Sequence, residues 1–194
     1  MLSWVPWIQI EKDDSANEEV KKLYKKTRNP VTGKISDLTR LTSLTPEISS
    51  HIDSLCSAVY QNATGLSAKE KEIAALVTSS FIGCVHWTSI HLETLGRVTR
   101  NKEFATQISE DYTKADLNSR ERLIADLPVK ITRSPDACSS ADIEKLRNED
   151  FSDKDILSLF EIIAYQNMST GDVFHKGCFA CLHLIYGEVR DIFS

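Results

Sequence analysis

Capped apolar segments at helical spacing run through this chain and leave little room for any architecture but helices. Ser67-Ala68-Lys69-Glu70 has the pattern of a capping box and precedes Ile73, Leu76 and Val77 at i, i+3 and i+4. Ser152 with Asp155 opens a second such segment, carrying Ile156, Leu157, Leu159, Phe160, Ile162 and Ile163. Thr45-Pro46-Glu47 supplies a hydroxyl N-cap, proline at the first helical position and an acid in the first turn, ahead of Ile48, Ile52, Leu55 and Val59. Val20, Leu23 and Tyr24 mark a first helix over about 15–27, broken at Asn29-Pro30 and Gly33, and a short helix follows through Ile35, Leu38 and Leu41. The stretch 101–134 reads as helix, loop and helix, with Leu117, Ile124 and Leu127 on one face and Pro128 and Pro135 at its margins. Ser139 with Asp142 caps a short helix.

No segment sustains period-two alternation. Seven glycines and five prolines make 12 turn-formers in 194 residues, too few for a many-turned β architecture. The expected fold is all-α, one domain over 1–194: an irregular arm at 1–14, core helices over about 67–97 and second-half helices over about 152–190. The stretch 173–190 is apolar on nearly every side, as a central or interfacial helix would be. A faint internal repeat relates 64–97 to 149–186, each a capped apolar helix, a break near glycine and a second helix with cysteine and histidine.

Charge excludes one class of partner. With 23 basic and 28 acidic residues the net charge is −5, the wrong sign for nucleic-acid binding. No apolar run reaches the ~20 residues that span a bilayer, and the first residues lack the pattern of a secretory signal. The expected location is cytoplasmic, where thiols stay reduced. Cys56, Cys84, Cys138, Cys178 and Cys181 are odd in number, so they do not form a complete disulfide framework.

One stretch carries chemistry. Glu72 is followed by Cys84, His86, Trp87 and His91. Cys84, Trp87 and His91 stand at i, i+3 and i+7 and share a helix face. Cys84 follows Gly83, and in the first turn of a helix the unpaired amides and the dipole favour a thiolate. Glu72 lies on the preceding helix and reaches His91 if the two pack antiparallel.

This pattern resembles the core of the alkyl hydroperoxidase D-like and carboxymuconolactone decarboxylase superfamily, nearest its peroxidase-related branch. That core has a glutamate, a Cys-x-x-Cys beginning twelve residues on, and a histidine four residues after the second cysteine. Glu72, Cys84 and His91 fit, His86 stands where alkyl hydroperoxidase D has a histidine between the cysteines, and Ile162-Ile163-Ala164-Tyr165-Gln166-Asn167 resembles the second half. The second cysteine position is Trp87.

The resemblance implies an alkyl hydroperoxidase D-like helical bundle, assembled as a homo-oligomer (trimer or hexamer), without metal or cofactor. Its wider role is thiol-dependent peroxide reduction. The second cysteine attacks the peroxide, the first resolves the sulfenic acid as a disulfide, and a thiol reductant such as a dihydrolipoyl protein restores it. Carried over, Glu72 is proton acceptor and orienter, His91 the relay, His86 an auxiliary proton donor and Cys84 the resolving thiol. The nucleophile is missing, because an indole does not attack an O–O bond. Three outcomes are therefore set out: peroxide reduction weak or lost, with residual one-cysteine chemistry at Cys84; cofactor-free acid–base chemistry on a small organic acid, with Trp87 lining the substrate pocket; and a non-catalytic sensor or assembly protein.

The remaining features have plainer readings. Trp87 serves as a core plug or as a ligand platform, and His86 as a solvent-facing histidine or a proton donor. Cys178-Phe179-Ala180-Cys181 is either two small buried hydrophobes in an apolar helix or a redox pair exchanging with Cys84. The glutamates and lysines at 18–26 form the wet face of an amphipathic helix.

Overall fold

The computed structural model describes residues 9–172, and among them every regular element is helical. The described chain divides into two compact units, one ending at Ala58 and one beginning at Val59.

In the first unit, α1 (Glu18–Thr27) starts where the Asn17 side chain accepts from the N–H groups of Glu19 and Val20. It buries Val20, Leu23 and Tyr24 with Ile35. The arm is tied to it, since the Tyr24 hydroxyl donates to Glu11 O at 2.8 Å and the Glu11 N–H donates to Ser43 Oγ at 2.9 Å. The short α2 (Asp37–Leu41) leads to α3 (Pro46–Gln61). On α3 the expected apolar stripe is present, yet Ile48 is 57% exposed and Leu55 45%, while Val59 is buried.

The second unit is built round α4 (Ala68–Ile82). Every residue from Ile73 to Ser79 is buried, as befits a helix packed by neighbours on all sides. Those neighbours are α5 (Val85–Thr99), α6 (Lys102–Asp111), α7 (Ser119–Arg133) and α9 (Asp153–Asn167). A short α8 (Ser140–Asn148) packs on α7 and α9. The capping boxes at Ser67/Glu70, Ser139/Asp142 and Ser152/Asp155 all form, and Asn118/Glu121 adds a fourth.

Two boundaries differ from expectation. Pro128 lies inside α7, whose buried Ile124, Ala125 and Leu127 hold the helix through the missing N–H. Helix α5 starts at Val85, so Cys84 is its N-cap residue and not part of its first turn. Gly83 adopts φ +81° at the end of α4, and its N–H and that of Cys84 both donate to Ser79 O. This left-handed turn folds α5 back along α4. The segment 173–190, with Cys178 and Cys181, and the second half of the repeat beyond Asp172, lie outside the described residues.

Side chains lock the loop ahead of α4. The Gly65 N–H donates to Asp155 Oδ1 at 2.5 Å, and the buried Lys71 ammonium donates to Tyr60 O at 3.0 Å and Asn62 O at 2.7 Å. Burial pulls the Lys71 amine below the usual lysine range. No helix among the described residues is long and apolar enough to cross a membrane.

Candidate functional site

Folding α5 back on α4 brings Glu72 and His91 together. His91 is 5% exposed and Glu72 9%, and His91 Nδ1 lies 2.8 Å from Glu72 Oε2. The other ring nitrogen, Nε2, lies 2.7 Å from the side-chain nitrogen of Gln166 on α9, which is fully buried. That same amide donates to the Tyr60 hydroxyl at 2.5 Å, while its oxygen faces the hydroxyls of Ser79 at 3.5 Å and Ser169 at 3.4 Å. One hydrogen-bonded chain therefore runs from Glu72 through His91 and Gln166 to Tyr60.

Aromatic rings flank the imidazole. Trp87 lies 5.9 Å from it at 25°, and Tyr60 lies 6.0 Å away at 21°. The Trp87 indole N–H donates to Ser169 O at 3.2 Å, which fastens α5 to the π-helical turn Met168–Asp172. His86 meets the edge of Trp87 at 5.3 Å.

Of the residues expected from the sequence, Glu72, Trp87 and His91 thus converge, with His86 against the indole. Cys84 is fully buried and engaged in a disulfide. Among the described residues no three of the histidines, cysteines and carboxylates gather where they could hold a metal ion. Gln166, Tyr60, Ser79 and Ser169 are site residues that sequence reasoning missed. The signal was Gln166 close behind the apolar Ile162, Ile163 and Ala164 of α9, and it does not say which partner the amide meets.

No family model and no curated protein matches the sequence. Solved structures do match. A peroxidase-related protein of uncharacterized function from Silicibacter sp. TM1040 superposes with TM-score 0.75 at 21% identity, over 84% of this chain and 85% of that one. An alkylhydroperoxidase AhpD core protein from Ralstonia eutropha JMP134, also peroxidase-related and uncharacterized, gives TM-score 0.77 at 19% identity, over 93% and 90%. The chain has the alkyl hydroperoxidase D-like fold. The debrominase Bmp8 shares this fold at TM-score 0.65 and 16% identity, over 89% of this chain and 95% of that one. A cysteine-to-alanine variant of that debrominase has been crystallised with 2,3,4-tribromopyrrole. The alkyl hydroperoxidase D-like fold accounts for the packing of α4 against α5 and α9, which is what delivers Glu72, His91 and Gln166 to one place.

Proposed function

We propose that this chain is an alkyl hydroperoxidase D-like protein in which two-cysteine peroxide reduction is lost and the Glu72–His91 pair survives as a proton-transfer unit. The observation that carries the reading is Trp87. An indole lies against His91 at the position where the resemblance calls for the attacking thiol, and it offers no nucleophile for a peroxide. Glu72 accepts from Nδ1–H, fixes the ring and balances the charge that arises when Nε2 takes a proton. His86 is the auxiliary donor beside the indole. Cys84 enters chemistry only after reduction of its disulfide, through a one-cysteine route that draws on an external thiol protein. The assembly is a homo-oligomer, trimer or hexamer.

A second reading, cofactor-free acid–base chemistry on a small organic acid, is favoured by the rings of Trp87 and Tyr60 beside the imidazole, which suit a flat ligand. Hydroperoxide consumption with a dithiol reductant tests the main proposal. Trp87→Cys is expected to exceed wild type at least about tenfold, since a positioned nucleophile and base contribute factors of that order or more, and any residual wild-type turnover should disappear in Cys84→Ser. Wild-type turnover as fast as that of Trp87→Cys would overturn it.

A further inference from the structure

A primary amide nitrogen has hydrogens and no lone pair to offer, so its 2.7 Å approach to His91 Nε2 requires that ring nitrogen to be bare. The imidazole proton then sits on Nδ1 and is donated to Glu72, which matches the 2.8 Å contact on that side. The Gln166 amide has a second arrangement available to it. Ser79 Oγ already donates to Ala75 O at 2.8 Å, and Ser169 Oγ donates to Gln166 O at 3.3 Å. Both hydroxyl oxygens therefore have lone pairs left with which to accept from an NH2 group.

We propose that Gln166 is the positioning residue of the Glu72–His91 pair, its amide holding Nε2 as a bare acceptor at rest and turning over to accept from it once a proton arrives. The inference rests on the proton-transfer reading above. The step balances: as the amide turns, its N–H leaves the Nε2 lone pair, an acidic substrate HA gives that nitrogen its proton and leaves as A−, and the imidazole becomes imidazolium while keeping its Nδ1–H bond to the Glu72 carboxylate. In the turned amide, Oε1 accepts from Nε2–H and from the Tyr60 hydroxyl, and the NH2 group donates to Ser79 and Ser169. Without that rotation the new Nε2–H would point at an N–H donor in a buried site, a costly arrangement. The titratable groups around the ring are Glu72 from α4 and Tyr60 from α3, with His86 behind Trp87 on α5 and Tyr165 edge-on to Tyr60 from α9.

The test is 15N NMR of the full chain labelled at histidine, at pH 8, with His91 assigned by the signal lost in His91→Asn. Wild type is expected to show Nε2 unprotonated and displaced by an accepted hydrogen bond. In Gln166→Met, which keeps length and apolar volume, Nε2 should stay unprotonated but move to the position of an unbonded ring nitrogen. In Gln166→Glu, Nε2 should carry a proton. A protonated Nε2 in wild type, or a Gln166→Met spectrum superimposable on wild type, would overturn the proposal, and neither needs the Glu variant to fold. Vigorous two-thiol turnover by wild type would sink the functional reading and leave this spectrum unchanged, so the two failures are distinguishable.

Discussion

Replacing Asp155 by asparagine should cost about 3 kcal/mol of folding stability at neutral pH. The carboxylate is 6% exposed and accepts from the Gly65 N–H at 2.5 Å, the Ser152 N–H at 3.0 Å and the Ser152 hydroxyl at 2.7 Å. Hydrogen bonds to charged groups contribute roughly 1.5–3 kcal/mol each. Asparagine keeps an oxygen for Gly65 but sets an NH2 group against the Ser152 donors, and losing two such bonds at the low end of that range gives the figure. Burial pushes the Asp155 carboxyl up, but Ser152 and the Gly65 N–H outweigh it and hold the group below the usual aspartate range. A depressed carboxyl contributes stability that is fully present above its unfolded value of about 4 and is lost as pH falls through its folded value. Urea denaturation of both proteins should therefore show the full gap from pH 5 to 8 and a narrowing one below pH 4. A gap under 1 kcal/mol at pH 7, or one that persists unchanged at the lowest pH where both fold, would mean that the ionised Asp155 does not hold Ser152 and Gly65 in place. Because Gly65 precedes the Ser67 cap of α4, the same variant should also loosen the Glu72–His91 contact.

A Cβ at Gly65 would stand 2.9 Å from Asp155 Oδ2 and 3.0 Å from Oδ1, so Gly65→Ala should cost about 1–2 kcal/mol, and less in an Asp155→Ala background, by thermal or urea melts. Arg120→Lys should cost about 1–2 kcal/mol by the same measurement. Arg120 donates from Nε to Glu70 at 2.6 Å and from Nη1 to Glu149 O at 2.9 Å while lying 3.6 Å over the Phe151 ring, and a point ammonium does not reproduce the three together. Peptide mapping without reductant should find Cys84 linked to Cys178 or Cys181, the pair set out above as its exchange partner; a Cys84 peptide alkylated without reduction would refute this. Light scattering should return the mass of a homo-oligomer, and a monomer mass would remove that part of the proposal.

The parts of the fold that the sequence discloses are local ones. Ser67 with Glu70 and Ser152 with Asp155 announce their helices because the capping bond closes within three residues. Pro128 misleads for the complementary reason: its local penalty is overridden by the burial of Ile124 and Leu127 beside it, which only the packed state reveals. The spacing of Ile48, Ile52 and Leu55 identifies a helix face without saying what lies over it. Glu72 and His91 can be paired from the sequence because a single tight turn relates their helices. Gln166 stands 75 residues from His91 and 106 from Tyr60, and no periodicity encodes contacts of that range.

Trp87 does more than lie against His91. Its indole N–H fastens α5 to the Ser169 carbonyl, so a change to cysteine at this position would also untie the end of α9 and the backbone that carries Gln166. Trp87→Cys should therefore gain a nucleophile and give up a clasp at one and the same corner, its turnover rising while its melting temperature falls.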